Sequence, residues 1–221
     1  MSFYQALLEA TGAERRAFLS IPLLGQGVAG NIDRAQYIAF LTEAYHHVKH
    51  TLPLLMACGS RLPERLEWLR EATAHYIEEE TGHQEWILND IRNAGGDAEA
   101  VRRGTPSLAT ELMVSYAWDT VHRRNPAGFF GMVLVLEGTS VHLATQAAEA
   151  IRRNLGLGSE CFSYLSSHGS LDLEHLDFFQ GLMDRLSDPA DQAAVIHCAK
   201  VMYRLYGDVF RGLPGRGEVA A

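Results

Sequence analysis

The chain is poor in the features that mark several common protein classes. Only three cysteines occur, Cys58, Cys161 and Cys198, and no two of them form a CxxC pair. That argues against a disulfide framework and against a cysteine zinc site. Seven prolines are scattered over 221 residues, and few segments alternate apolar with polar residues, so no segment carries a convincing strand signature. No apolar run approaches the ~18 residues that span a bilayer. There is no basic block; 27 acidic against 19 basic residues leave a net charge of −8, which argues against nucleic acid or an anionic membrane as partner. The opening Met1-Ser2-Phe3-Tyr4-Gln5 runs straight into an amphipathic pattern without a signal-peptide profile. The expectation is a soluble, cytoplasmic protein.

Apolar residues recur at three- and four-residue spacing nearly throughout, which is the helical period. One helix is expected over Phe3 to about Phe18, with a break near Gly12. A second follows the cap at Asp33, through Tyr37, Leu41, Ala44 and Val48 to about Ser60, kinked at Pro53. A third starts at Pro63 and continues past Trp86 to a stop at Gly95-Gly96. Shorter helices follow from Asp97 and Ser107. Gly128 to about Leu155 forms a strongly apolar helix, which belongs in the middle of a bundle. Asp188-Pro189 opens a last helix to about Phe210. Seven or eight helices with short connections predict one all-α bundle over residues 1–213, with a flexible tail over 214–221.

The residues that carry chemistry sit on these helices. In the stretch Ser166–Phe179, His168, Asp172 and His175 are spaced four and then three apart. At about 100° per residue they fall within roughly 60° of one helix face. Two imidazoles and a carboxylate converging on one point suit Zn(II), Fe(II) or Mn(II); a solvated polar face is the alternative. Glu80 and His83 form a Glu-x-x-His pair in the third helix, with Glu78 and Glu79 as rival acids. Two such pairs from two helices, and single acids from two more, build carboxylate-bridged metal centres in helical bundles. Glu137 follows Val133-Leu134-Val135-Leu136 in the most apolar helix, where an uncompensated carboxylate would be costly. Glu43 shares a face with His47 and His50; it is either the fourth acid or part of a polar outer face. Tyr45, Tyr116, Trp118 and Phe179 are candidate pocket walls.

Glu80-x-x-His83, the isolated Glu137 and His168-x-x-x-Asp172-x-x-His175 together resemble the haem-oxygenase-like metal-dependent oxidases and oxygenases. These iron-containing redox enzymes belong to a larger TenA-like and pyrroloquinoline-quinone-synthase-like superfamily. The resemblance spans about Phe3 to Leu213. It implies a haem-oxygenase-like bundle of seven helices without haem, holding one or two Fe(II) ions, with Mn or Zn as alternatives. His83, Glu137, His168, Asp172 and His175 would be ligands; Glu80 would bridge to or bind a second metal, and Glu43 would complete that second site. The implied reaction uses O₂ to oxidise a small organic molecule, and fold analogy implies a homodimer. The TenA-type thiaminases share the shape but rely on a nucleophilic cysteine in the central helix, where this chain has Glu137. A rival reading on the same fold is therefore a thiamine-related or cofactor-free enzyme, with Glu137 and Glu43 as general acid and base. A second rival is a non-catalytic regulatory or binding protein.

Overall fold

In the computed structural model residues 1–217 are described, with the backbone alone described at 141–142 and 168–175. Twelve α-helices account for most of this chain: α1 (Phe3–Ala10), α2 (Gly12–Leu19), α3 (Pro22–Val28), α4 (Arg34–Val48), α5 (Thr51–Arg61), α6 (Glu67–Glu80), α7 (His83–Asn93), α8 (Ala98–Arg103), α9 (Leu108–Arg123), α10 (Phe130–Leu155), α11 (Ser163–Arg185) and α12 (Pro189–Arg211). Short 3-10 turns precede α6, α10 and α11. No strand occurs among the described residues, and no single helix there is long and apolar enough to cross a membrane.

The helix starts follow local chemistry. Ser2 with Gln5, and Asp33 with Gln36, form capping boxes at α1 and α4. Ser107 and Asp188 accept from backbone N–H groups at α9 and α12, and Pro189 occupies the first turn of α12, where a missing N–H costs nothing. Twelve helices replace the seven or eight expected because long periodic runs are broken. The expected second helix ends at Val48 and restarts at Thr51. Pro53 then lies in the first turn of α5, so it opens a helix instead of kinking one. The expected third helix breaks at Thr81-Gly82, where Gly82 has a φ of 95°, a left-handed conformation that glycine adopts without strain. Residues 22–28, unassigned by periodicity, form α3.

Two apolar clusters fill the interior. The larger joins α1, α2, α5, α6, α9, α12 and the first half of α10; the smaller joins α4, α7, the second half of α10 and the start of α11. α10 and α12 touch most closely at Gly131, where a Cβ would lie 2.6 Å from the Ala199 nitrogen; only glycine fits. The halves of α10 ending at Ser140 and starting at Leu143 meet at 43°. At this bend Thr139 donates to the Val135 carbonyl (2.5 Å) and Ser140 to those of Leu136 (3.1 Å) and Glu137 (2.9 Å). Hydroxyl back-bonding of this kind bends helices. The end of the chain, expected to be a flexible tail from Pro214, is tied to α4 as far as Gly217. Gln36 Nε2 donates to Pro214 O (3.1 Å), and Gly217 N donates to Asp33 Oδ2 (2.9 Å).

Candidate metal centre

A cavity of about 90 Å³ lies on the seam between the two apolar clusters, lined by His47 of α4, Glu80 of α6, Glu137 of α10 and the rings of Tyr76, Tyr164 and Tyr206 among others. Glu137 reaches it because the apolar first half of α10, buried from Phe130 to Val135, brings the half-buried residues 136–140 to its floor. Glu80 is the last residue of α6, and the turn at Gly82 folds His83 back onto it. His83 Nδ1 lies 3.0 Å from Glu80 Oε2, and the two side chains are only 3% and 13% exposed. The pair expected on one helix face is therefore assembled across a helix break. Trp86 covers the imidazole at 4.1 Å between ring centroids.

The rival acid is placed elsewhere. Glu79 Oε1 lies 3.2 Å from His75 Nε2, whose side chain is half exposed. Glu43 is also placed differently from the expectation. Its carboxylate accepts from Ser107 N (3.2 Å), Ser107 Oγ (2.9 Å) and Thr110 Oγ1, so it caps the start of α9, where a negative charge is favoured, and it does not line the cavity. Glu43 and Glu137 therefore do not form the general acid–base pair of the rival reading. The α4 imidazole that does reach the cavity is that of His47, beside Val48; His47 is 3% exposed, with its ring edge-on to Tyr206 at 5.8 Å. Periodicity had put His47 on the face of Glu43 without separating the two; burial separates them. The expected pocket walls Tyr45, Tyr116, Trp118 and Phe179 do not line this cavity; Tyr76, Phe129, Tyr164 and Tyr206 take that place here.

His168, Asp172 and His175 lie outside the residues whose side chains are described. Their helix, α11, runs along α10 and against α7, and its start is fixed by a carboxylate of α7. Asp90, with no exposed surface, accepts from Ser163 N (3.0 Å), Ser163 Oγ (2.6 Å) and Tyr164 N (2.8 Å). Burial raises the Asp90 pKa, against the lowering effect of these hydrogen bonds. Thus α7 opens with His83 and, two turns later, latches the helix that bears the longest motif. No sequence signal marked Asp90, because its partners lie more than 70 residues away.

The donors in hand, imidazole nitrogen and carboxylate oxygen, are those that Fe(II) or Mn(II) takes. Among the described residues no three of His, Cys, Asp and Glu stand close enough to hold an ion; Glu80 with His83 is a pair, and Glu137 lines the same cavity as Glu80. The three cysteines are buried and free, and none lines this cavity.

The profile of a family described as iron-containing redox enzyme matches residues 38–207. No curated protein matches. Among solved structures, a domain of unknown function with a heme oxygenase-like fold from Shewanella denitrificans is similar at 20% identity and a TM-score of 0.83, over 96% of this chain and 92% of that one. A TenA homolog from Pseudomonas syringae has 10% identity and a TM-score of 0.81, over 95% and 91%. Heme oxygenase from Leptospira interrogans has 16% identity and a TM-score of 0.75, over 95% and 98%. At these identities the likeness establishes a heme oxygenase-like fold.

Proposed function

We propose that this chain, which belongs to the iron-containing redox enzyme family, holds Fe(II) where α6, α7, α10 and α11 meet and uses O₂ to oxidise a small organic substrate. The observation that carries the reading is the Glu80–His83 pair at 3.0 Å, with Glu80 and Glu137 lining one cavity. His83, Glu137, His168, Asp172 and His175 would hold the metal, with Glu80 beside them. When bound, iron supplies the capacity to activate O₂, which no protein side chain offers.

The chain's own residues do the rest. In this reading His83 Nδ1–H donates a hydrogen bond to Glu80 Oε2, which orients the ring and leaves Nε2 with its lone pair. Phe129, Met132, Val133 and Leu136 give the cavity hydrocarbon walls, which exclude water and strengthen every polar contact inside. Tyr206 is buried, and burial raises its pKa, so its phenol stays protonated and can donate to an oxygen of the substrate.

The test is iron content after anaerobic purification and reconstitution with Fe(II), followed by O₂ uptake. About one or two irons per chain, lost in His83→Ala and Glu137→Ala, is expected. Absence of iron from both purified and reconstituted protein would overturn the proposal. The thiamine-related reading on the same fold carries the opposite expectation, turnover of a pyrimidine or similar heterocycle that persists in the presence of chelator.

A further inference from the structure

The three tryptophans of the chain sit in different settings. Trp68 lies under the Arg185 guanidinium at 4.4 Å, and Trp118 stands edge-on to His50 and stacked with His122. Trp86 touches the candidate metal centre. Its ring centroid is 4.1 Å from that of His83, with 30° between the planes; the next shortest ring pair between described residues, Tyr37 with Phe162, is 4.9 Å apart. The two residues are three apart in α7, which puts their side chains on one face. The His83 side chain is only 3% exposed, whereas Trp86 is half-buried and Asn89, three residues further on, is exposed. One ring contact therefore leads from the enclosed Glu80–His83 pair to the surface.

Covering an imidazole does not call for an indole, since a phenyl ring or hydrocarbon would do the same. What indole adds is redox chemistry. It gives up an electron without first losing a proton, whereas a phenol must release its proton as it is oxidised. The cavity phenol of Tyr206 is poorly placed for that step, because burial raises its pKa. Its ring neighbours Phe18 at 5.4 Å and Phe210 at 5.0 Å belong to the larger apolar cluster, and phenyl rings are far harder to oxidise than indole. A site that activates O₂ must also dispose of oxidising equivalents when no substrate is bound, or its own side chains react.

We propose that Trp86 is an electron relay between the candidate metal centre and the surface. It gives one electron inward when O₂ is activated there with no substrate to oxidise, and it is restored at the surface by a small soluble reductant, ascorbate or a thiol. This role rests on reading Glu80 and His83 as part of an iron centre. Each passage moves one electron: the indole loses it by way of the His83 ring and releases its N–H proton to water. The reductant then returns one electron and one proton, and is itself oxidised by one electron.

The test uses the full chain, loaded anaerobically with Fe(II), desalted, counted for iron, and exposed to O₂ without organic substrate. Peptide mass spectrometry locates the oxidised residues, and paramagnetic resonance of freeze-quenched samples detects an indole radical. Hydroxytryptophan or kynurenine should collect at Trp86 several-fold above Trp68 and Trp118, and ascorbate should suppress it. Trp86→Phe keeps a ring over the imidazole and removes the electron source. It should load as much iron as wild type and lose the radical signal, with oxidation moved to His83, Tyr76, Tyr164 and Tyr206 in spite of ascorbate. Iron-loaded wild type in which Trp86 stays unmarked, equal marking in the metal-free chain, or a loaded Trp86→Phe protein damaged no more than wild type overturns the relay and leaves the metal centre standing. A chain that takes up no iron overturns both.

Discussion

The start of α9 and the cavity beneath the bend of α10 each take up a half-buried glutamate, and they use it in opposite ways. Glu43 is spent on structure: three donors of Ser107 and Thr110 surround its carboxylate. Glu137 shares a cavity with Glu80 and His47, so carboxylate and imidazole groups, the donors that Fe(II) or Mn(II) takes, are gathered in one place. A carboxylate that closes a helix end strengthens the fold. Two carboxylates that line one small cavity are placed so that one cation could be shared between them. Asp90 belongs with Glu43 in this division, because all its contacts are N–H and O–H donors at the start of α11.

The sharpest way to break the comparison is to remove each glutamate and read iron and stability separately. Glu137→Ala should cut the iron retained after desalting by at least about tenfold. Glu43→Ala should keep its iron. If iron follows Glu43 and ignores Glu137, the division is wrong.

The next largest effect belongs to Asp90. Replacement by Ala strands three donors at once, two of the part-buried Ser163 and one of the buried Tyr164, and a stranded buried donor costs about 1–3 kcal/mol. A total loss near 3–4 kcal/mol is expected from urea unfolding, together with weaker iron retention, because α11 loses its latch. A loss under about 1 kcal/mol would mean that water replaces the carboxylate and that the latch is not what fixes α11. Glu43→Ala removes the same kind of contact from a half-exposed place, where water can enter, and should cost only about 1–2 kcal/mol.

How much of this was readable from sequence follows from the range of the interactions. Caps act over three residues, so Asp33 with Gln36, Ser107 and Asp188-Pro189 marked true helix starts. Periodicity located the helical stretches but not their breaks. Residues 49–50 carry no proline or glycine, and Gly82 reads equally well as an interior glycine until its φ is known. The two glycines of α3 hid a helix. In the site, the Glu80–His83 spacing led to the right pair through the wrong geometry, a helix face in place of a turn. Glu43 and His47 could not be separated, because what distinguishes them is the start of α9, which arrives 64 residues further along the chain. The Asp90 latch was invisible for the same reason.

The smallest expected effect is a slope with pH, and it sets Asp90 against Asp191, the other aspartate with no exposed surface among the described residues. Asp191 has a cation: Arg65 contacts it at 2.5 and 3.0 Å, and Asn125 Nδ2 donates at 2.7 Å. Arg65 holds its pKa below the ordinary 3.8, whereas burial without a cation lifts that of Asp90 above 3.8. A carboxyl with a lowered folded-state pKa gives stability that is present above 3.8 and lost as pH falls through the folded value. One with a raised pKa gives stability that is present below 3.8 and lost as pH rises through the folded value. Unfolding free energies of wild type, Asp90→Asn and Asp191→Asn, measured from about pH 2 to about pH 7, should therefore diverge with opposite signs. The advantage of wild type over Asp90→Asn should shrink as pH rises, and its advantage over Asp191→Asn should grow. Slopes of the same sign would show that the donors at α11, and not the missing cation, govern the ionisation of Asp90.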